Sequence, residues 1–172
     1  MTGCLIEPVS APLSAPMTEV LAALHARCFA DADGADWSAT AMRTILAAPG
    51  ACGWVAAASD MPCGLILARA AGDDCEILTF GVLPGSRRRG CGRLLMGEAA
   101  RWASEAALVR LVLEVAVTSR AARAFYATCG FTEIGRRPDY YATSSGRIDA
   151  LVLSAAPDRV LAKTVGPDFN NI

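Results

Sequence analysis

The stretch that decides the fold is Val82-Leu83-Pro84-Gly85-Ser86-Arg87-Arg88-Arg89-Gly90-Cys91-Gly92-Arg93. It leads from an apolar run into a segment rich in Leu, Ala and Glu, which predicts a strand, a glycine-bearing turn and a long helix. Such a turn leaves N–H groups free at the positive end of a helix, and glycine lets a phosphate approach the backbone. The dinucleotide pattern G-x-G-x-x-G fails because Leu95 stands at its third glycine, and the Walker lysine is missing. We interpret the stretch as a pyrophosphate cradle, with a solvated arginine turn as the alternative.

Outward from this turn, hydrophobic periodicity predicts one α/β domain with the order αα-βββ-α-β-α-ββ. Helices are predicted at about 17–29, from the N-cap Ser38 to 48–50, at 90–107, and at 119–129 up to the C-cap Gly130. Strands are predicted at about 52–58, 63–70 and 75–83 as an antiparallel meander, at 111–115 as a strand buried on both faces, and at 131–135 and 148–154. Residues 1–12 are expected to form a loop or a short edge strand. The domain is expected to end at residue 155, and residues 156–172 to form a partly ordered tail.

Composition narrows the classes of function. Of the 172 residues, 53% are hydrophobic and 19% charged, and the formal net charge is −1, so neither disorder nor a DNA-coating role is expected. No apolar run suffices to span a membrane and no signal peptide is recognisable, so we expect a cytosolic protein without membrane or DNA partners. The charge is segregated: −6 over residues 1–86 (three Arg, nine Asp or Glu) and +6 over residues 87–137 (ten Arg, four Glu). An anionic ligand beside the second block and a cationic partner beside the first would explain this, as would scattered surface charge.

The cysteines form no recognisable metal or catalytic motif. Their number is odd, no pair is spaced C-x-x-C, and His25 is the single histidine. We expect no metal site, and most of the thiols should act as small buried hydrophobes in a reducing compartment. The seven are Cys4, Cys28, Cys52, Cys63, Cys75, Cys91 and Cys129.

Two further positions are typical of acid–base chemistry. The run Leu113-Glu114-Val115 places a carboxylate in an apolar strand, where burial without a partner is costly. Glu114 is a candidate general base for an amine, and a structural glutamate paired with an arginine is the alternative. Tyr126, on the following helix, is a candidate proton donor or a core tyrosine.

The motif R-x-x-G-x-G from Arg87 to Gly92, after the strand at 76–82, is similar to the acetyl-CoA motif of the GNAT acetyltransferases. This resemblance implies a single GNAT-type α/β domain with a mixed, mostly antiparallel sheet, a splayed central strand pair and flanking helices. It also implies acetyl-CoA (coenzyme A) as the cofactor. The strand before the loop would be bulged, and the residues contacting the pantetheine and the acetyl group would be Phe80, Gly81 and Val82. The residues binding the phosphates would be Arg87, Arg88, Arg89, Gly90, Cys91, Gly92 and Arg93.

A second set of motifs resembles the RimI branch of that family, the ribosomal-protein-alanine N-acetyltransferases, over about residues 17 to 153. The set comprises Trp37-Ser38, Leu113-Glu114-Val115, Ala124-Phe125-Tyr126, Gly130-Phe131, Arg137-Pro138-Asp139-Tyr140-Tyr141 and Gly146-Arg147-Ile148-Asp149-Ala150. By this resemblance Glu114 is the general base and Tyr126 the general acid of a direct transfer that needs neither a metal nor an acyl-enzyme. Backbone N–H groups near Val82 would stabilise the oxyanion. Ser119 replaces the asparagine usual in the branch, and its hydroxyl has a shorter reach to the cofactor.

Tyr126 can protonate the departing thiolate most readily if the pKa of its phenol is close to the pKa of the thiol. The phenol of Tyr126 has a reference pKa of about 10 and a thiol one of about 8.5, so a modest shift would match the two.

The expected acceptor is a basic protein N-terminus, such as that of a ribosomal protein. Aspartates after the first helix would attract its positive residues, with a solvated loop as the alternative; they are Asp31, Asp33 and Asp36. The groove would be lined by Trp37, Tyr140 and Tyr141. A small-molecule amine or a protein lysine is the alternative acceptor. A sensor of acyl-CoA and a nucleic-acid module are the alternative functions, and the oligomeric state stays open.

Overall fold

The computed structural model describes residues 4–30 and 37–165. The strands are β1 (Leu5–Val9), β2 (Ala51–Ala58), β3 (Met61–Ala71), β4 (Asp74–Val82), β5 (Arg110–Ala116), β6 (Thr132–Thr143) and β7 (Gly146–Ala155). The helices are α1 (Ala15–Cys28), α2 (Ala39–Ala47), α3 (Cys91–Glu105), α4 (Arg120–Thr128) and α5 (Pro157–Thr164). None of the described helices combines the length and apolar character needed to cross a bilayer. The aspartates predicted to attract the acceptor lie outside the described residues.

One sheet contains the strands in the order β1-β2-β3-β4-β5-β7-β6. Neighbouring strands are antiparallel except β4 and β5, which are parallel. The predicted mixed, mostly antiparallel sheet is therefore confirmed, and so is the meander, formed by β2, β3 and β4. The expected edge strand within residues 1–12 is β1.

Local signals place the start of α2 and the end of α4 as predicted. The Ser38 side chain accepts a hydrogen bond from the Ala41 N–H (3.2 Å) and caps α2. Ser14 caps α1 in the same way, through the Met17 N–H. After α4 the backbone of Gly130 takes φ +91°, a conformation that glycine adopts without a Cβ penalty, so the chain can leave the helix there.

Between β4 and β5 the sheet opens. Only three residue pairs join them, from Asp74 opposite Arg110 to Glu76 opposite Val112. On the other side of β4, Leu67 and Ala68 pair with Thr79 and Ile77, so Leu78 bulges out of the ladder. We call the gap between residues 77–82 and 113–116 the wedge. The predicted splayed pair and bulged strand are both confirmed.

The sheet separates two hydrophobic clusters. On the face covered by α3 and α4 lies the larger cluster, and on the face covered by α1 and α2 lies the smaller. The bulge shifts the alternation of side chains between the two faces of β4. As a result Ile77 and Phe80, three residues apart, both pack with the larger cluster. Gly81 allows α1 to approach closely, since a Cβ there would lie 2.8 Å from the Cys28 Cβ.

Two expectations about the elements need correction. Strand β5 is not buried on both faces: Leu113 is buried, but Val112 and Glu114 on the opposite face are partly exposed, and Glu114 lies at the wedge. The strand predicted at 131–135 continues to Thr143, since pairing with β7 outweighs its polar composition. The segment expected to be a partly ordered tail contains α5 at residues 157–164, which packs on α3 and buries Val160 and Thr164.

Candidate active site

The turn before α3 presents an open helix N-terminus. Gly90 adopts φ +85° at the N-cap position without a side-chain cap, and Arg88 also has a positive φ of 65°. The first N–H groups of a helix have no partner within it, so those at the start of α3 are available to an anion. A Cβ built on Gly90 would meet nothing within 4 Å, which leaves space beside the backbone. The geometry suits the predicted pyrophosphate cradle.

The four arginines of the turn are not equivalent. Arg87 Nε donates to the Val82 carbonyl (3.0 Å) and its second guanidinium nitrogen to that of Cys28 (3.4 Å), which ties the end of β4 to α1. Arg93 donates to the Lys163 carbonyl (2.8 Å) at the end of α5. Within the described chain, the exposed side chains of Arg88 and Arg89 form no ion pair or hydrogen bond. These two are the cations open to a phosphate.

The far end of β4 lies against aromatic rings of α4. Phe80 stacks on Phe125 with the ring centroids 5.2 Å apart. Gly92 lies beneath these rings, since a Cβ there would be 3.2 Å from the Phe80 Cζ. Gly81 is buried and Val82 half-buried. The backbone edge of residues 77–82 faces the wedge and pairs with no residue of β5.

Tyr126 is buried in the same aromatic group. Its ring contacts Phe80, Phe125 and Phe131, with centroid separations of 6.0, 5.6 and 5.7 Å. Burial raises the pKa of Tyr126 above its usual value, and the neighbouring Tyr141 adds to the shift. This direction is opposite to the expected match with a thiol. Tyr126 is therefore a neutral O–H group throughout the neutral pH range.

Glu114 lies on the other face of β5 from Tyr126. Since Leu113 and Val115 point into the larger cluster, the Glu114 side chain between them points to the face covered by α1. Its side chain is 26% exposed and forms an ion pair with Arg137, whose Nε lies 3.1 Å from the carboxylate. The carboxylate thus has the arginine partner that the sequence analysis kept as an alternative.

Tyr141 lies beside both Glu114 and Tyr126. Its hydroxyl donates to the backbone carbonyl of Glu114 (3.3 Å). Burial raises the pKa of Tyr141 to about 12, with smaller contributions from Tyr140 and Glu114. The predicted groove residue Tyr141 is therefore beside the predicted base, while Tyr140 is exposed and meets the Tyr141 ring edge-on at 5.0 Å.

The tyrosine pair is held by a bulge in β6 that the sequence analysis did not foresee. Pairing with β7 is interrupted between Arg137 and Tyr141, and Asp139 takes a positive φ of 49°. Arg147 donates to the carbonyls of Asp139 (2.7 Å) and Tyr140 (3.4 Å), and Asp149 accepts from the Asp139 N–H (3.1 Å). The Gly-Arg-x-Asp-Ala motif therefore shapes the bulge.

Two other predicted residues take mainly packing positions. Trp37 is half-buried and stacks on His25 of α1 at 5.1 Å, which anchors the chain just before α2. Ser119 occupies the N-cap position of α4 with no side-chain cap bond.

The cysteines divide between burial and an unforeseen cluster. Five of the seven are buried, as most were expected to be, and Cys4 and Cys52 are half-buried. The Sγ atoms of Cys4, Cys63 and Cys91 lie within 4.8 Å of one another. Their sequence separation offered no signal for this contact. A cavity of about 450 Å³ behind α4, lined by Arg123, Phe131 and Leu153 among others, contains no residue of the predicted site.

A splayed parallel pair, an unpaired strand edge and an open helix N-terminus beside it define the class of coenzyme-A-dependent acyltransferase folds. The model of the acetyltransferase (GNAT) family matches residues 18–131, and the chain belongs to that family.

Curated relatives are similar to part of the chain. It is 34% identical to the [ribosomal protein bS18]-alanine N-acetyltransferase of Salmonella typhimurium over 82 residues, which are 48% of this chain and 55% of that protein. The Escherichia coli protein of the same name is 33% identical over the same shares. The match therefore spans about half the length of these relatives.

Solved structures extend the likeness of fold. The ribosomal-protein-S18-alanine N-acetyltransferase from Escherichia coli superposes with a TM-score of 0.75 at 22% identity, over 88% of this chain and 94% of that one. Arabidopsis thaliana NAA60 in complex with acetyl-CoA has a TM-score of 0.73 at 16% identity, over 89% and 98%. A nourseothricin acetyltransferase has a TM-score of 0.60 at 30% identity, over 63% and 66%.

Proposed function

We propose that this protein is an N-alpha-acetyltransferase that transfers acetyl from acetyl-CoA directly to the N-terminal amine of a protein, with the N-terminal alanine of a ribosomal protein as the substrate. The observation that carries the proposal is the position of Glu114 and Tyr126 on opposite faces of β5 at the wedge. An acceptor amine and a leaving thiol need a proton acceptor and a proton donor on the two sides of the reacting carbonyl. The relatives named for alanine N-acetylation support this acceptor class.

The cofactor side of the wedge suits acetyl-CoA. The unpaired backbone edge of β4 resembles a sheet edge to which an extended pantetheine can add its amides. N–H groups at the start of α3 would bind the pyrophosphate, and Arg88 and Arg89 would pair with phosphate charges. The bound cofactor supplies the thioester. The stacked rings of Phe80 and Phe125 would cover the apolar part of the bound cofactor and exclude water from it.

On the acceptor side, Glu114 would remove the amine proton. A terminal ammonium has a pKa of about 7.7–8.0, so a weak base acting through a water molecule can generate enough neutral amine. Arg137 holds the carboxylate in place through the 3.1 Å ion pair, and Tyr141 fixes the backbone of the same residue. The neutral amine then attacks the thioester carbon, and the nitrogen loses a second proton by the same route as the C–S bond breaks. Both protons pass through the water to solvent.

Tyr126 would supply the proton that the departing thiolate needs. Its raised pKa makes the phenol a weak acid in isolation, but burial also disfavours a thiolate in the same apolar site. Proton transfer from the phenol to the thiolate therefore exchanges one buried anion for another. The phenolate recovers its proton from solvent after coenzyme A leaves.

The first experiment measures thiol release from acetyl-CoA with two peptides and a panel of free amines. One peptide has a free N-terminal Ala-Arg, and the other is the same peptide blocked at its N-terminus but with an internal lysine. Turnover of the free N-terminus alone is expected. Turnover of the blocked peptide would instead assign lysine acetylation. Calorimetry with acetyl-CoA alone is expected to show binding, and binding without turnover of any amine would leave the sensor function.

A small-molecule acceptor is the second candidate. It is favoured by the likeness to a nourseothricin acetyltransferase at 30% identity. The free-amine panel should therefore include that antibiotic. Turnover of the antibiotic faster than of the peptide would replace the proposed acceptor.

A further inference from the structure

The thiol groups of Cys4, Cys63 and Cys91 form a cluster that has no role in the proposed transfer, in which only the backbone of Cys91 would take part. Cys4 directly precedes β1, Cys63 lies on β3, and Cys91 is the first residue of α3. Their sulfurs lie within 4.8 Å of one another, and the Cys63 and Cys91 sulfurs are 3.8 Å apart. Three elements distant in sequence thus bring three thiols to one point.

We propose that these thiols form a site for a soft, thiophilic metal ion, with copper(I) as the best-fitting ion. A metal–thiolate bond of about 2.3 Å puts two sulfurs on one ion about 3.8–4.0 Å apart. The Cys63–Cys91 separation meets this spacing without movement. A disulfide would require the two sulfurs to approach to about 2.05 Å. The geometry is therefore closer to shared coordination than to a disulfide.

The donor set selects the ion. All three donors are sulfur, and no His, Asp or Glu joins them among the residues described. Thiolates favour soft ions such as copper(I), whereas structural zinc almost always takes four ligands. Each metal–sulfur bond replaces an S–H bond, and the protons pass to solvent.

Access and rigidity suit such a site. Cys63 and Cys91 are 3% and 2% exposed, while Cys4 is half-buried and offers an entry path from the edge of the sheet. Bound metal would join β1 and β3 to the start of α3, beside Gly90. If the proposed function holds, metal loading would also change the affinity for acetyl-CoA. The binding site itself does not depend on that function.

The test compares Cys4→Ser with Cys52→Ser. Both residues are half-buried free cysteines, so the two variants should disturb the fold to a similar and small extent. Reduced protein is titrated anaerobically with copper(I) against a chromophoric chelator, and zinc is titrated in parallel. The unmodified protein and Cys52→Ser are expected to bind one copper(I) ion. Removal of an outer-shell partner lowers metal affinity by about 10–100-fold. Because Cys4 is a direct ligand in this proposal, Cys4→Ser should lower the copper(I) affinity by more than that.

X-ray absorption spectroscopy at the copper edge provides a second readout, because it counts the atoms bound to the metal. Three sulfur ligands are expected. Equal copper affinity in the two variants would overturn the proposal, as would the absence of uptake by the unmodified protein. Tighter binding of zinc than of copper(I) would overturn the choice of ion. These measurements contain no acetyl-CoA, so their failure is distinct from failure of the transferase function.

Discussion

The two ends of the β4–β5 pair contrast sharply. At the closed end, Asp74 and Arg110 are directly opposite in the ladder and form a two-point ion pair, with distances of 2.8 and 3.0 Å. At the open end, the same strands diverge and Phe80 faces α4, while Glu114 pairs with Arg137 of β6. The closed end satisfies its backbone within the sheet. The open end leaves backbone and charge available for ligands.

This difference teaches how one strand pair can serve both stability and chemistry. Hydrogen bonds and buried apolar area stabilise the closed end, where Cys75 and Leu111 are fully buried. Pairing of β4 with β5 ends at Glu76, and the bulge at Leu78 in the ladder with β3 lies just beyond that point. Substitutions at the open end should therefore change turnover, and those at the closed end should change stability.

The largest effect is expected at the open end, for Glu114→Gln. Loss of the base should lower kcat/KM for an Ala-Arg peptide about 10²–10⁴-fold, with little change in Tm. Steady-state thiol release and thermal melting measure the two quantities. Glu133→Gln, on an exposed position of β6 away from the wedge, is the matched control. Equal activity of the two variants would remove Glu114 from the role of base.

Tyr126→Phe should lower kcat by about 10²-fold, at the lower end of the range for acid–base groups, because a thiolate is a good leaving group. The phenyl ring keeps the packing against Phe80 and Phe131. The KM for acetyl-CoA should therefore stay unchanged. An increase in this KM with kcat intact would instead indicate a packing role for the hydroxyl.

At the closed end, Leu111→Ala should lower the free energy of unfolding by about 2–5 kcal/mol, because it opens a cavity beneath α3. Urea denaturation measures this loss, and kcat per folded molecule should remain close to that of the unmodified protein. The neighbouring Val112→Ala, at a half-buried position, should cost less. A large loss of kcat in fully folded Leu111→Ala would contradict the separation of the two ends.

The smallest effect is expected for Asp74→Asn, which removes the ion pair with Arg110. Hydrogen bonding to Asp74 raises the pKa of Arg110, but both side chains are solvent-accessible and exposed ion pairs contribute little. Tm should fall slightly at low salt, and the difference should vanish at high salt. A drop in Tm as large as that of Leu111→Ala would show that this contact clamps the closed end.

Local patterns carried much of the prediction. Ser38 as an N-cap, Gly130 as a C-cap and the meander of three apolar runs all depend on residues near one another in the chain. Predictions were weaker where pairing partners were distant. The run Arg136 to Asp139 is polar and contains a proline, so it lacks the alternation typical of a strand. Strand β6 nevertheless continues to Thr143, because its residues pair with β7 on both sides of the bulge between Arg137 and Tyr141.

In the candidate site, too, local motifs were predictable and contacts between distant residues were not. The motifs point to Glu114 and Tyr126, but the ion pair of Glu114 with Arg137 becomes visible only in the folded chain. The structure also distinguishes Arg87 and Arg93 from Arg88. In the sequence they are indistinguishable from Arg88, whereas in the structure both guanidinium groups bind backbone carbonyls.

By itself, the sequence determined the α/β class, the glycine-bearing turn and the family resemblance, because these depend on periodicity and on backbone conformations set by neighbouring residues. Tertiary structure alone decided which arginines of the turn bind backbone carbonyls and which face of β5 carries Glu114. It also brought Cys4, Cys63 and Cys91 together. Such contacts join residues distant in the chain, and only the packing of several elements onto one sheet establishes their distances.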